Sequence, residues 1–200
     1  MAIVKYGKGE SALPSTAIEM TRDFTRCYST RYRFIAPNIH MNGGYEMDVM
    51  GVRKSGFVDE VEIKVSRSDF LADFKKSVTV RDGEYKHEFS GRMFPKIIQM
   101  PKHDAVAAGK TLANYFAFFM PPDLAEQCEA DIPDHAGLYI YRPDMWGGKV
   151  SEVKRPPRLH NRKISEKAEF KHMEKICWRY RAIIAEWDKA VTYEYGQESA

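Results

Sequence analysis

Cysteine is scarce in this 200-residue chain. There are three, Cys27, Cys128 and Cys177, with no C-x-x-C spacing. That excludes a disulfide framework and a cysteine-built zinc site, and it points to a reducing compartment. Long apolar runs are missing: none approaches the ~20 residues that a spanning helix needs. The opening MAIVKYGKGESALP lacks the apolar core of a secretory leader, so the expectation is a cytoplasmic protein. No G-x-x-x-x-G-K-[ST] and no G-x-S-x-G occurs, which argues against a P-loop enzyme and an α/β hydrolase. The six histidines are dispersed, with no H-x-x-x-H pair to hold a transition metal.

An excess of charge of one sign is also absent from most of the chain. Residues 1–150 hold 20 Lys and Arg against 20 Asp and Glu. Residues 151–181 hold 10 against 4, and residues 182–200 hold 1 against 4. The positive charge is therefore one segment, as on a polyanion-facing surface or on a solvated linker and helix face.

What is present reads as alternating elements. Thr16 and Glu19 form a capping box that opens a helix running to about Tyr28, with Ala17, Met20, Phe24 and Cys27 or Tyr28 on its apolar face. Three strands follow, at 33–40, 45–53 and 57–65, joined by the Asn42-Gly43 turn and by Lys54-Ser55-Gly56, as an antiparallel meander. Pro37 marks the first as an edge strand or a bulge. A helix capped by Ser66 or Ser68 should end with Lys75 and Lys76 in its last turn. Gly83, Gly91, Pro95 and Pro101 break up residues 77–101, where a long, partly ordered excursion is expected. A helix over 102–111, a central strand over 114–120, a short helix over 123–130 and a strand over 137–141 complete a mixed α/β layer. Residues 151–200 are expected to be a basic linker and a long helix capped by Ser165. Its seam is Phe170, Met173, Cys177, Tyr180, Ile184, Trp187 and Val191. Packing on the domain's own core fits the widened stripe better; a homodimer contact is the other reading.

The segment YEMDVMGVRKSGFVDEVEIKVSRSDF carries the chemistry. A three-residue loop with Gly56 in the left-handed region sets Asp48 opposite Glu62, and Glu46 opposite Lys64. Strand side chains alternate, so these four share one face, with cross-strand Cβ atoms ~4.5–5.5 Å apart. Met47, Val49, Val61, Ile63 and Val65 take the core face. Two opposed carboxylates repel, so one is protonated or a cation neutralises them. Oxygen donors favour a hard ion, Mg²⁺ or Mn²⁺.

Asp48 followed by Glu62-Ile63-Lys64 resembles the D…(D/E)-x-K signature of the PD-(D/E)XK nuclease superfamily. The run from Val61 to Phe74, with Lys102-His103 and Asn114-Tyr115-Phe116 further on, is similar to a bacterial and phage DNA-repair-type branch. The resemblance covers roughly residues 15–141. It implies a restriction-endonuclease-like αβββαβ core over 15–150, with a mixed central sheet flanked by helices. It further implies Mg²⁺-dependent hydrolysis of DNA in a bacterial cell or phage-infected host. Asp48, Glu62 and the Ile63 carbonyl would hold the metal, and Lys64 would assist the attacking water. Glu19 is a candidate fourth site residue, with helix capping as its other role. The proline that often precedes the motif aspartate is Met47 here.

Arg67, Lys102, His103, Lys154, Arg155, Arg158, Arg162 and Lys163 are the candidate DNA contacts. Two other readings use the same residues. One is a catalytically silent DNA-binding or assembly module on this fold. The other is an oligomeric structural protein built on the long helix.

Overall fold

The computed structural model describes residues 16–41, 45–142 and 149–197, with side chains as far as residue 184. Helix α1 (Ala17–Cys27) starts on the expected capping box. Glu19 N–H donates to Thr16 Oγ1 at 3.2 Å, and Thr16 N–H donates to the Glu19 carboxylate at 3.0 Å. Met20 and Phe24 are buried, whereas Ala17 and Cys27 are exposed.

Strands β1 (Tyr32–His40), β2 (Glu46–Arg53) and β3 (Val58–Ile63) form the antiparallel meander. Asn42 to Gly44, the first turn, lie outside the described residues. The second turn closes as expected: Gly56 N–H donates to Arg53 O at 2.9 Å, and Arg53 N–H donates to Phe57 O at 2.8 Å. Gly56 takes φ +84°, a conformation that costs a side-chain-bearing residue roughly 1–2 kcal/mol. Gly56→Ala is therefore expected to lower stability by about that amount, read as a shift of the urea midpoint. The turn sets Val49 opposite Val61 and Met50 opposite Glu60. This is the register in which Asp48 and Glu62 share a face.

The expected excursion at 77–101 is instead a hairpin, β4 (Ser77–Lys86) with β5 (Met93–Pro101). Gly83, at φ +83°, sits where the register shifts, so it bulges the hairpin rather than ending it. Helix α2 (Arg67–Asp73) stops before Lys75 and Lys76, which lie past its end rather than in its last turn.

Helix α3 (Lys102–Ala107), strand β6 (Tyr115–Met120), helix α4 (Pro122–Cys128) and strand β7 (Ala136–Tyr141) follow. Strand β8 (Val150–Lys154) was not expected, and it moves the start of the basic segment into the sheet. The six strands form one mixed sheet in the order β1-β2-β3-β6-β7-β8, with β3, β6 and β7 parallel. Pro37 lies on edge strand β1, where its missing N–H is tolerated.

Strand parity divides the core. Val49, Val61, Ile63, Ala117 and Phe119 pack against Met20 and Phe24 of α1. Phe116, Phe118 and Met120 pack on the other face against Phe70 of α2, Val106 of α3 and Leu124 of α4. The fold is thus α/β, with helices on both faces of the sheet.

The chain divides into two compact units, residues 1–163 and 164–200. Helix α5 (Glu166–Gln197) makes up most of the second. Ser165 Oγ accepts from Ala168 N–H at 3.3 Å, as a cap does. The seam positions Phe170, Met173, Tyr180 and Ile184 are exposed, and Trp187 and Val191 lie beyond the described side chains. Among the described residues no helix is long and apolar enough to cross a membrane.

Candidate functional site

Parity places Asp48, Glu60, Glu62 and Lys64 on the face of the sheet that α2 and α3 cover. The β2–β3 ladder ends at Val49 and Val61. Beyond it, Ile63 N–H donates to Asp48 Oδ2 at 2.8 Å instead of to the β2 backbone. A strand residue points its N–H and C=O to the same side. The Ile63 carbonyl is thereby aimed to the Asp48 side.

This substitution explains one departure from expectation. Glu46 does not pair with Lys64, because the ladder has stopped; it lies 3.9 Å from His40. Val65, expected in the core, is exposed for the same reason. The splayed ends open a cleft of about 220 Å³ lined by Ala17, Thr21, Asn38, Asp48, Ile63, Lys64, Asp69 and Lys76. It sits at the carboxyl end of β3, the end of a parallel strand where ligands bind in open α/β sheets.

Behind the cleft is a buried network of charges. Glu62 is fully buried; its Oε2 accepts from Lys64 Nζ at 3.0 Å, with Lys76 Nζ at 3.5 Å, and its Oε1 lies 2.8 Å from Lys102 Nζ. Lys102 Nζ is also 3.2 Å from Glu60 Oε1 and 3.5 Å from Asp73 Oδ2. Asp73 Oδ1 meets Lys64 at 3.0 Å and Lys76 at 2.7 Å, and its Oδ2 lies 3.0 Å from His103 Nε2. Tyr45 OH donates to Glu60 Oε2 at 3.3 Å.

Burial, reinforced by the charge of Glu62, pushes the Asp48 carboxyl up to about 6. Burial also raises Glu60, against the pull of Lys102. Burial acts the same way on Asp73, but the His103 hydrogen bond and the charges of Lys102 and Lys64 win and hold it well below the usual carboxylate range. Burial would lower Lys64 and Lys102, yet the adjacent carboxylates raise both, so each is a fixed ammonium near neutral pH.

The charges do not balance. Asp48, Glu60, Glu62, Asp69 and Asp73 are five carboxylates against the three ammoniums of Lys64, Lys76 and Lys102, and the His103 imidazole also meets Asp73. A surplus of carboxylates over ammoniums is the kind of charge that a divalent cation would offset. The oxygens of Asp48, Glu62 and Ile63 are hard donors of the kind Mg²⁺ takes. Asp48 Oδ1 has no hydrogen-bond partner among the described residues. No cluster of three His, Cys, Asp or Glu arranged for a metal occurs among those residues. Glu62 is held by lysines, so such an ion would have to replace an ammonium there.

Other expected residues fall elsewhere. Glu19 is exposed, is engaged in the capping box and does not line the cleft. Lys102 is buried in the network, where a phosphate cannot reach it. His103 is buried between Asp73 and His135 Nε2, the latter 3.0 Å from its Nδ1. Arg67 pairs with Asp131 at 2.9 Å, and Lys154 Nζ donates to Pro133 O at 2.8 Å. Arg155, Arg158, Arg162 and Lys163 are exposed, but at the amino ends of the parallel strands. There the Asn114 side chain donates to the carbonyls of His160 and Arg162 and accepts from Val58 N–H. Gly137 leaves the room that Pro156 fills: a Cβ there would stand 2.6 Å from Pro156 Cδ. Arg158 and Lys163 flank the Phe57 ring at 5.6 and 5.8 Å. Phe57 closes the β2–β3 turn, and the six residue steps from Asp48 to Lys54 span about 20 Å.

Sequence reasoning passed over Glu60 and Asp73. Glu60 was within reach, since it has the parity of Glu62. Asp73 was not, because its role depends on how α2 crosses the sheet.

No family model matches the chain, and no curated protein does. Among solved structures it is similar to SPO1766, a protein of unknown function from Silicibacter pomeroyi. The TM-score is 0.52 at 15% identity, over 88% of this chain and 91% of that one. The likeness is one of fold.

Proposed function

We propose that the chain is a metal-dependent nuclease of the PD-(D/E)XK type that hydrolyses DNA phosphodiester bonds in the cytoplasm of a bacterial cell or phage-infected host. The observation that carries this is Asp48. It is a partly buried carboxylate in an open cleft, tied to Ile63, raised to about 6, and backed by Glu62 and an immobilised Lys64. A purely structural acid is expected to be either solvated or fully paired.

Asp48, Glu62 and the Ile63 carbonyl would hold the ion. A bound Mg²⁺ or Mn²⁺ supplies an acidified water and offsets charge on the phosphate. Lys64 does not act as a base, since it stays protonated. Glu62 and Asp73 take two of its N–H bonds, and the third is left for a cleft water or a phosphate oxygen. In the reaction the water oxygen bonds to phosphorus and the phosphorus–oxygen bond to one sugar breaks. The water's proton leaves to solvent, and the departing alkoxide regains one.

The test is Mn²⁺ binding and plasmid nicking by purified protein. Because Asp48 must lose its proton to bind a cation, apparent Mn²⁺ affinity should rise with pH up to about 6 and level off above it. A flat profile between pH 5 and 8 would remove Asp48 from the site.

The separation of the basic segment favours a second reading, a DNA-binding or assembly module that is catalytically silent. Arg155, Arg158, Arg162 and Lys163 are exposed at the strand ends opposite the cleft, the Arg162 guanidinium also donating to Gly109 O and Thr111 O. The Phe57 ring that Arg158 and Lys163 flank is about 20 Å from the cleft along β2. Strongly salt-dependent DNA binding, with neither Mn²⁺ binding nor cleavage, would select it.

A further inference from the structure

Three lysines neutralise the buried acids, and they are not equivalent. The side chains of Lys64 and Lys102 are 2% and 0% exposed. That of Lys76 is 44% exposed, and it lines the cleft together with the far more buried Lys64. Its Nζ lies 2.7 Å from Asp73 Oδ1 and a looser 3.5 Å from Glu62 Oε2. Its backbone is pinned on both sides. Lys76 N–H donates to Asp73 O at 3.1 Å, and Lys76 O accepts from Lys102 N–H at 2.8 Å. Any movement therefore belongs to the four-carbon stem, turning about a fixed Cα.

We infer that Lys76 is an exchangeable internal cation. In the metal-free protein its ammonium holds the charge of Glu62 and Asp73. When a divalent ion takes over Glu62, Lys76 is released into the cleft and meets a phosphate oxygen of the polyanion. This rests on the cation-binding reading above and adds to it a residue that couples cation to substrate. The coupling follows from charge. Three ammoniums already meet Glu62, so a divalent ion arriving there repels them, and Lys76, the most distant of the three and the most exposed, is the one free to leave. An ammonium beside a polyanion's phosphate is attracted to it. Asp73 keeps Lys64, Lys102 and His103 when Lys76 leaves, so the fold does not depend on the contact.

The experiment is an Mn²⁺ titration of the full chain, followed by electron paramagnetic resonance, on the parent, Lys76→Met, Lys76→Gln and Lys75→Met. Lys75 is the control. It is exposed, one residue away, carries the same charge and makes no ion pair among the described residues. Removing a competing ammonium should tighten Mn²⁺ binding by Lys76→Met and Lys76→Gln about tenfold or more. Lys75→Met should stay within about twofold of the parent, its charge being screened by solvent. With the site then saturated by Ca²⁺, both Lys76 variants should bind a short DNA duplex several-fold more weakly than the parent. Unchanged Mn²⁺ affinity in the Lys76 variants, or an equal gain in Lys75→Met, overturns the exchange and leaves the cation site standing. Tighter Mn²⁺ with unchanged DNA affinity overturns the coupling to substrate. A parent protein that binds no Mn²⁺ at millimolar concentration overturns both the inference and the reading it rests on.

Discussion

Asp48→Asn is expected to end DNA cleavage and, in the same protein, to leave the metal-free fold at least as stable as the parent above pH 6. The two halves come from one carboxylate. In the folded chain Asp48 is raised from 3.8 to about 6, first by burial and then by Glu62. A group whose folded value lies above its unfolded one contributes stability below the unfolded value. That contribution is lost as pH rises through the folded value. Asp48 therefore favours the fold below pH 3.8, and its contribution is gone once the pH exceeds about 6. At pH 8 it stands ionised and partly buried beside another acid. Asparagine removes that charge, and its side-chain oxygen still accepts the Ile63 N–H at the position of Oδ2. Cleavage should fall by roughly 10³-fold or more, since a bound ion supplies several kcal/mol of transition-state stabilisation and 1.36 kcal/mol is tenfold. Plasmid nicking and urea denaturation at pH 5 and pH 8 read the two halves. Nicking that survives the substitution would sink the catalytic assignment. A clear loss of stability at pH 8 would make Asp48 a structural residue.

The parts of this site that were legible in the sequence are those set by local rules. Gly56 specifies an odd loop, strand parity does the rest, and the pairing of Val49 with Val61 follows. The capping box of α1 is equally local, and it settles Glu19 as a capping residue in this structure. What was not legible depends on distant chain. Lys102 reads as a surface lysine at a helix start, and only the crossing of α3 over β3 buries it between Glu60 and Glu62. Gly83, Pro95 and Pro101 read as breakers. In a two-stranded hairpin, however, a glycine bulges the ladder, and a proline can take a position whose N–H no partner needs. Strand β8 was hidden by its polar sequence, Val-Ser-Glu-Val-Lys, which suits an edge strand. The ladder's early end at Val49 was hidden too. Period-two arithmetic carries on to Glu46 and Lys64, whereas the Asp48 side chain caps Ile63 and stops it.

Lys102→Met should have the largest effect on stability, about 3–5 kcal/mol, because breaking a buried ion pair leaves the partner charge uncompensated. Against the 5–15 kcal/mol of an ordinary domain, about 3–5 kcal/mol is a fifth of the total or more. The Lys102 ammonium is fully buried between Glu60 and Glu62, with Asp73 close by. Its own titration is not the cause. Its folded value is raised, so its contribution is present below about 10.5 and is lost only well above neutral pH. The pH dependence of the variant comes from the acids it abandons. Glu60 is already raised by burial, and without Lys102 it should rise further, so the variant should lose less stability at pH 5 than at pH 8. Adding Glu60→Gln removes the carboxylate left most exposed to this cost, and the double variant should recover a substantial part of the loss in urea denaturation. Recovery of stability without recovery of Mn²⁺ binding would separate two roles. Lys102 compensates Glu60 for the fold, and it holds Glu62 Oε1 while Oε2 meets Lys64 and Lys76. An equal loss in the single and double variants would mean that Lys102 acts through the packing of its aliphatic stem, and the electrostatic account of the network would fall.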